Sequence, residues 1–143
     1  MNKKDKYSAS ILVIGDEILS GRTQDTNSNQ IAKKMTEIGI NISDIRVVPD
    51  TKEIIIESIN ELRKKTDYLF TTGGIGPTHD DITAESIASA FGVEININQE
   101  AFSILKAYYD EIGSPFNEAR QRMAMIPVGA TLIDNPISKA PGF

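Results

Sequence analysis

The sequence predicts an α/β protein whose sheet is mostly parallel. Two observations point there. Short apolar runs alternate with amphipathic helical windows, in the order strand, helix, strand, helix, strand, through the first half of the chain. That order marks βαβ units with right-handed crossovers. The first run, Ile11-Leu12-Val13-Ile14, is apolar at every position, which suits a strand buried on both faces of a helix-covered sheet.

Each element has a local reason. Gly15 stops the first strand. A helix is expected over 26–38, with Ile31, Met35 and Ile38 as its apolar stripe and Gly39 just past its end. Ile45 to Val48 forms the second strand, closed by Pro49 and Asp50. Asp50-Thr51-Lys52-Glu53 has the pattern of a capping box. The helix it opens carries Ile55, Ile59 and Leu62 on one face and ends in Arg63-Lys64-Lys65, where cations complement the helix dipole. Tyr68-Leu69-Phe70 is the third strand, followed by a glycine-rich turn over 73–78. A helix over 82–91 carries Ala84, Ala88 and Phe91. Val93, Ile95 and Ile97 alternate as an edge strand. Phe102, Leu105, Tyr109 and Ile112 stripe a further helix. A short helix over 117–124 and a strand from Thr131 to Ile133 complete the expectation.

Composition narrows the function. At 143 residues the chain is expected to form one domain, 1–143. Twenty acids against fifteen bases give a net charge of −5. No basic patch is visible to displace counterions from nucleic acid or to dock on an anionic membrane. There is no cysteine, hence no disulfide, thiolate metal site or cysteine nucleophile, and the one histidine, His79, excludes a multi-histidine cage. No apolar run approaches the ~18–20 residues that span a bilayer. The charged start, Met1-Asn2-Lys3-Lys4-Asp5-Lys6, lacks the pattern of a signal peptide, so a cytoplasmic protein is expected.

In parallel α/β sheets ligands bind beyond the carboxyl ends of the strands. Three loops therefore carry the candidate chemistry. The loop after the third strand reads Thr72-Gly73-Gly74-Ile75-Gly76-Pro77-Thr78-His79-Asp80-Asp81 and opens a helix. Its glycines admit a ligand close to the backbone, and the helix start offers free donors, a combination that suits phosphate. It is neither a triphosphate P-loop nor a dinucleotide fingerprint, and on the glycines alone a tight turn explains it equally. Asp80 and Asp81 would repel an anion unless a cation lay between, as magnesium does when it takes one or two carboxylates plus phosphate oxygens. Alternatively Asp81 is only the helix cap. Asp50 shows the same ambiguity. If the second and third strands are close, Asp50 and Asp81 would converge on one metal or one water, and His79 would donate to phosphate or act as an acid. The first loop, Gly15-Asp16-Glu17 through Asp25-Thr26-Asn27, is long and polar. Asp16, Thr23, Asp25 and Asn27 can hydrogen-bond a ribose or heterocycle and Arg22 can meet a phosphate charge, while Asp25 or Thr26 can equally cap the following helix.

Taken together, Gly15-Asp16-Glu17-Ile18-Leu19-Ser20-Gly21, Asp25-Thr26-Asn27, Val48-Pro49-Asp50 and Thr72 through Thr83 resemble the MoaB/Mog-type molybdopterin-binding domain, in particular its CinA N-terminal branch, with the related domain of FAD synthases also similar. The resemblance runs from about Ser10 to Phe143. It implies a three-layer α/β/α fold, commonly trimeric. It also implies metal-assisted phosphate chemistry at Asp81 and Asp50, to which the reading of the loop itself adds Asp80 as a further metal ligand and His79 as an acid. Gly15, Asp16, Glu17, Asp25, Asn27, Thr72, Gly73, Gly74, Gly76, Pro77 and Thr78 are the implied substrate contacts. Magnesium or cobalt is the implied metal, with potassium as a further cofactor. The ligand would be a nucleotide or pterin phosphate, molybdopterin included. Molybdopterin adenylyltransferases usually carry Thr where Ile75 stands and a base where Asp80 stands. An acid there favours hydrolysis of an ADP-ribose- or FAD-type pyrophosphate over pterin adenylylation. A non-catalytic molybdopterin- or nucleotide-binding module, or molybdopterin adenylyltransferase-like activity in molybdenum cofactor biosynthesis, is the alternative. Family members continue past a segment like Asn135 to Phe143 into another strand, so the chain is expected to stop inside the family's fold.

Overall fold

The computed structural model describes residues 6–143 and forms two compact units, Met1–Gly73 and Gly74–Phe143. The charged residues 1–5 lie outside the described ones.

The first unit runs β1 (Tyr7–Ile14), α1 (Asp16–Leu19), α2 (Asn27–Glu37), β2 (Ile40–Val48), α3 (Lys52–Lys65) and β3 (Tyr68–Thr72). Its sheet has the order β2-β1-β3, parallel throughout. β1 is therefore central, which is why Ile11, Leu12, Val13 and Ile14 are all buried. The chain leaves β1 for β2 on one side and returns to β3 on the other. Right-handed crossovers then put α2 and α3 on opposite faces of this sheet. α3 buries Ile55, Ile59 and Leu62, the stripe expected of it. At ~1.5–3 kcal/mol per buried side chain, these three anchor the helix.

The strands are longer than expected. β1 begins at Tyr7, and its small polar start is held by hydrogen bonds rather than apolar bulk. Ser8 donates from N–H and Oγ to the Asp67 carboxylate at 2.9 and 3.2 Å, and the buried Ser10 hydroxyl pairs with Thr66 Oγ1 at 3.0 Å. β2 begins at Ile40. Ala9 pairs with Ile42 but Ser10 with Asp44, so Ser43 is an extra residue in β2, a bulge. From β2, Arg46 donates to Glu61 of α3 at 2.6 Å, and that hydrogen bond, followed by the charge of the guanidinium, holds the Glu61 carboxyl below its usual value.

The capping box at 50–53 does not form. Thr51, in extended conformation, is the N-cap of α3 and no side chain caps it. The Asp50 carboxylate is turned elsewhere, as described below.

The second unit holds α4 (Thr83–Phe91), β4 (Ile95–Ile97), α5 (Gln99–Glu111), α6 (Glu118–Gln121), a 3₁₀ turn (Arg122–Ala124) and β5 (Met125–Pro127). β4 and β5 pair antiparallel. Ala101, Leu105, Met123, Ala124, Ile126 and Ala140 form a core, with Phe102, Tyr109 and Phe116 packed against it. Asn98 caps α5 by accepting the Ala101 N–H at 2.9 Å, and Asn117 caps α6 by accepting the Arg120 N–H at 3.0 Å. Two expectations are corrected. The helix over 117–124 breaks into one turn of α6 and the 3₁₀ turn, and β5 follows directly. The strand at 131–133 reduces to a single bridge between Ile133 and Gly142.

Candidate functional site

In the first unit the site begins where the chain exits the sheet. Strand order β2-β1-β3 leaves a crevice at the carboxyl ends of β1 and β3, because the connections from β1 depart toward β2. A cavity of ≈ 170 Å³ lies there, lined by Glu17, Thr23, Asp25, Asn27, Thr72 and Gly73 among others. Gly73 is required at this point. Its φ is +91°, and a Cβ would run into the Ile14 carbonyl oxygen. The close approach of β3's end to β1's end thus depends on the missing side chain.

The loop after β1 contains the single turn α1, so it is less irregular than its composition implies. Gly15 N–H continues the ladder by donating to the Val48 carbonyl at 3.0 Å. Asp16 and Asp50 then clasp each other's backbone: Asp16 N–H donates to Asp50 Oδ2 at 3.0 Å, and Asp50 N–H donates to Asp16 Oδ1 at 3.3 Å. Two carboxylates thereby fix the ends of β1 and β2 relative to each other. The premise that the second and third strands are neighbours does not hold, since β1 separates them. Asp50 belongs to the first unit and Asp81 to the second.

Asp25 performs the cap that the sequence left open between it and Thr26. Asp25 accepts the Ser28 N–H at 3.1 Å and also the Ser28 hydroxyl, from the position before the N-cap Thr26. Arg22 is exposed and donates to Ser20 Oγ at 3.3 Å.

In the second unit the glycine turn folds onto the start of α4. Gly74 has φ +66°, a Cβ there would meet Thr83 Oγ1, and Thr83 N–H donates to the Gly74 carbonyl at 3.1 Å. Asp81 does not cap α4, whose N-cap is Ile82. Its Oδ2 accepts both the N–H and the hydroxyl of Thr78 at 2.8 Å each, while Asp81 N–H donates to the Thr78 carbonyl at 3.1 Å. Both Thr78 donors are therefore engaged. Among the described residues no hydrogen bond reaches Asp81 Oδ1. Two cavities, of ≈ 30 and ≈ 240 Å³, share Gly76, Asp81, Ala84, Arg122 and Met125 in their walls. Pro77 lines neither.

The neighbouring candidates part company with Asp81. His79 Nε2 lies 3.3 Å from Asp80 Oδ1, and both side chains are largely exposed, at 89% and 72%. Among the described residues no group of three or more histidine or acid side chains gathers to hold a metal ion. Two carboxylates line these cavities, Asp81 in both and Glu85 in the larger, a set that fits a hard cation whose remaining ligands are phosphate oxygens and water. It does not fit a cation held by protein alone. Arg122 is the site residue that no motif marks. It stands in Gln121-Arg122-Met123, where nothing in the local sequence separates it from Arg120.

Comparison with known proteins follows this geometry. A family model described as a probable molybdopterin binding domain matches residues 10–143, so the chain belongs to the MoaB/Mog-type molybdopterin-binding domain family, with its α/β fold. Within that family it is similar to CinA. The crystal structure of the protein CinA, of unknown function, from Thermoplasma acidophilum superimposes with a TM-score of 0.87 at 31% identity, covering 97% of this chain and 81% of that one. A CinA-like protein of Citrifermentans bemidjiense is 40% identical over 133 residues, 93% of this chain and 32% of that protein. A protein of Pyrobaculum calidifontis is 42% identical over 136 residues, 95% of this chain and 52% of that protein. The tungsten cofactor synthesizing protein MoaB of Pyrococcus furiosus gives a TM-score of 0.58 at 25% identity over 78% of this chain and 68% of that one. The chain spans about half the length of the curated relatives it matches, or less. Among the described residues no helix is long and apolar enough to cross a membrane.

Proposed function

We propose that this CinA-like domain binds a nucleotide or pterin phosphate and hydrolyses its phosphoanhydride with the help of a divalent cation. One observation carries the reading. Asp81 is relieved of helix capping and instead faces a cavity walled by the glycine turn, with Oδ1 open. A carboxylate beside a recess bounded by Gly74, Ile75 and Gly76 is unfavourable for an anion alone and favourable for an anion bridged by a cation.

When held by Asp81 together with phosphate oxygens, magnesium or cobalt supplies neutralisation of the charge that develops in phosphoryl transfer. The protein's own parts do the rest. The glycine turn brings backbone, without side-chain bulk, to the phosphate. Thr78 holds Asp81 in one orientation through two donors, and Asp81 orients the incoming water. That water adds to phosphorus while the bridging P–O bond breaks. Its proton leaves to solvent, and two phosphate monoesters remain: AMP and ribose 5-phosphate from ADP-ribose, AMP and FMN from FAD. Separately, the first-unit crevice presents Asn27, Thr72 and Thr23, groups that can hydrogen-bond a sugar hydroxyl or a heterocycle edge. His79, exposed on the turn, would donate its proton to the oxygen of the departing phosphate and regain one from solvent. A cytoplasmic protein assembling as a homotrimer belongs to the same proposal.

The test is release of AMP from ADP-ribose and FAD with and without magnesium, cobalt and potassium. Cation-dependent AMP release is expected. Saturable binding of a nucleotide or molybdopterin without turnover would make the domain a binding module. Neither turnover nor binding would sink the reading.

A further inference from the structure

We infer that Arg122 is the phosphate-binding cation of the second-unit cavity, contacting the non-bridging oxygens of the phosphoanhydride; this rests on the function proposed above. Three observations carry it.

The first is position. Arg122 lines both cavities that Gly76 and Asp81 line. The acids Asp81 and Glu85 also face the larger one. In a chain of net charge −5, the recess that would take an anion therefore contains one basic side chain.

The second is availability. Among the described residues Arg122 makes no ion pair and no side-chain hydrogen bond, and its side chain is exposed. Arg120, two residues earlier, is the contrast. Its guanidinium donates to Ser114 Oγ at 2.8 Å and to the Pro115 carbonyl, and it lies 4.4 Å over the Tyr109 ring. Of two arginines on one short segment, one is committed to packing and the other is left facing the glycine turn.

The third is anchorage. Arg122 opens the 3₁₀ turn whose next residues, Met123 and Ala124, are buried at 8% and 0% exposure in the second-unit core. The backbone that carries the guanidinium is thereby held, so ordering it on a ligand costs only side-chain entropy. A planar guanidinium gives two parallel N–H donors to two phosphate oxygens, which a lysine cannot match.

The experiment measures binding of ADP-ribose and of adenosine by titration calorimetry, with magnesium present, to wild type, Arg122→Gln and Arg122→Lys, alongside thermal melts. Arg122→Gln should weaken ADP-ribose binding about tenfold or more, leave adenosine binding alone and leave the melting temperature in place. That loss should shrink as salt is raised, a response that packing damage would not give. Arg122→Lys should recover part of the affinity. Equal ADP-ribose affinity in wild type and Arg122→Gln would overturn the role of Arg122 and leave the proposed function standing. Wild type that binds no ADP-ribose would overturn both.

Discussion

Asp81→Asn separates two tasks that one carboxylate performs. Oδ2 accepts two hydrogen bonds from Thr78 at 2.8 Å. A bond to a charged acceptor contributes ~1.5–3 kcal/mol net and a neutral one ~0.5–1.5 kcal/mol. Asparagine keeps an acceptor oxygen, so each bond weakens by ~1 kcal/mol and the pair by at most ~2 kcal/mol. Asp81 is only half-buried, and solvent returns part of that, leaving ~1 kcal/mol, or ~2–4 °C in melting temperature for a chain of this size. Thr78→Val removes one of the two bonds and costs a similar ~1 kcal/mol, yet keeps the carboxylate. The two variants thus match in stability and differ in charge. Asp81→Asn should slow AMP release from ADP-ribose by at least ~100-fold, the scale for deleting an electrostatic contact to a developing charge. Thr78→Val should change it by a small factor. The assay is initial-rate AMP release at saturating magnesium, with melts on both proteins. If both variants lose activity equally, Asp81 acts only by holding the turn; if Asp81→Asn keeps the wild-type rate, the carboxylate has no part in the chemistry.

Other perturbations test the scaffold. Gly73→Ala must place a methyl on the Ile14 carbonyl at φ +91°, so denaturant melts should show a loss of ~2 kcal/mol or more, and an unchanged midpoint would contradict the need for glycine there. Asp25→Ala removes the acceptor for Ser28 N–H and should cost ~1 kcal/mol by the same measurement; no loss would mean that Thr26 supplies the cap. Glu61 titrates below its usual 4.5 because of Arg46. Its contribution is therefore present above the unfolded-state value and fades as pH falls through the lower folded-state value. Wild type should be more stable than Glu61→Gln at neutral pH, with the difference shrinking in acid, and a gap that persists in acid would place its origin outside this ion pair.

Much of the first unit is readable because burial on two faces leaves an unmistakable apolar run, as in Ile11 to Ile14. What escapes a local window is whatever a distant partner decides. The bulge at Ser43 shifts Ile40 and Ile42 out of phase with Ile45 and Val47, so period-two reading finds only the later half of β2. Asp50 looks like a helix cap beside Thr51, but the Asp16 amide, 34 residues away, claims its carboxylate. β5 hides because Met125-Ile126-Pro127 follows a helical stretch and ends in proline, a residue tolerated at the end of a short edge pairing. At the site, the glycines and Asp81 announce themselves by spacing. Arg122 does not, since its assignment depends on what surrounds it in space and on Arg120 being occupied.

The strand order has a consequence for synthesis. β1 precedes both of its partner strands in the chain and is the middle strand of its sheet. Its register with β3 cannot form until residue 72 is available. At ~5–20 residues per second, translation leaves Ile11 to Ile14 without that partner for several seconds. During that interval the nascent chain exposes its most apolar segment on one side, a target for chaperones and for the same segment on a neighbouring ribosome.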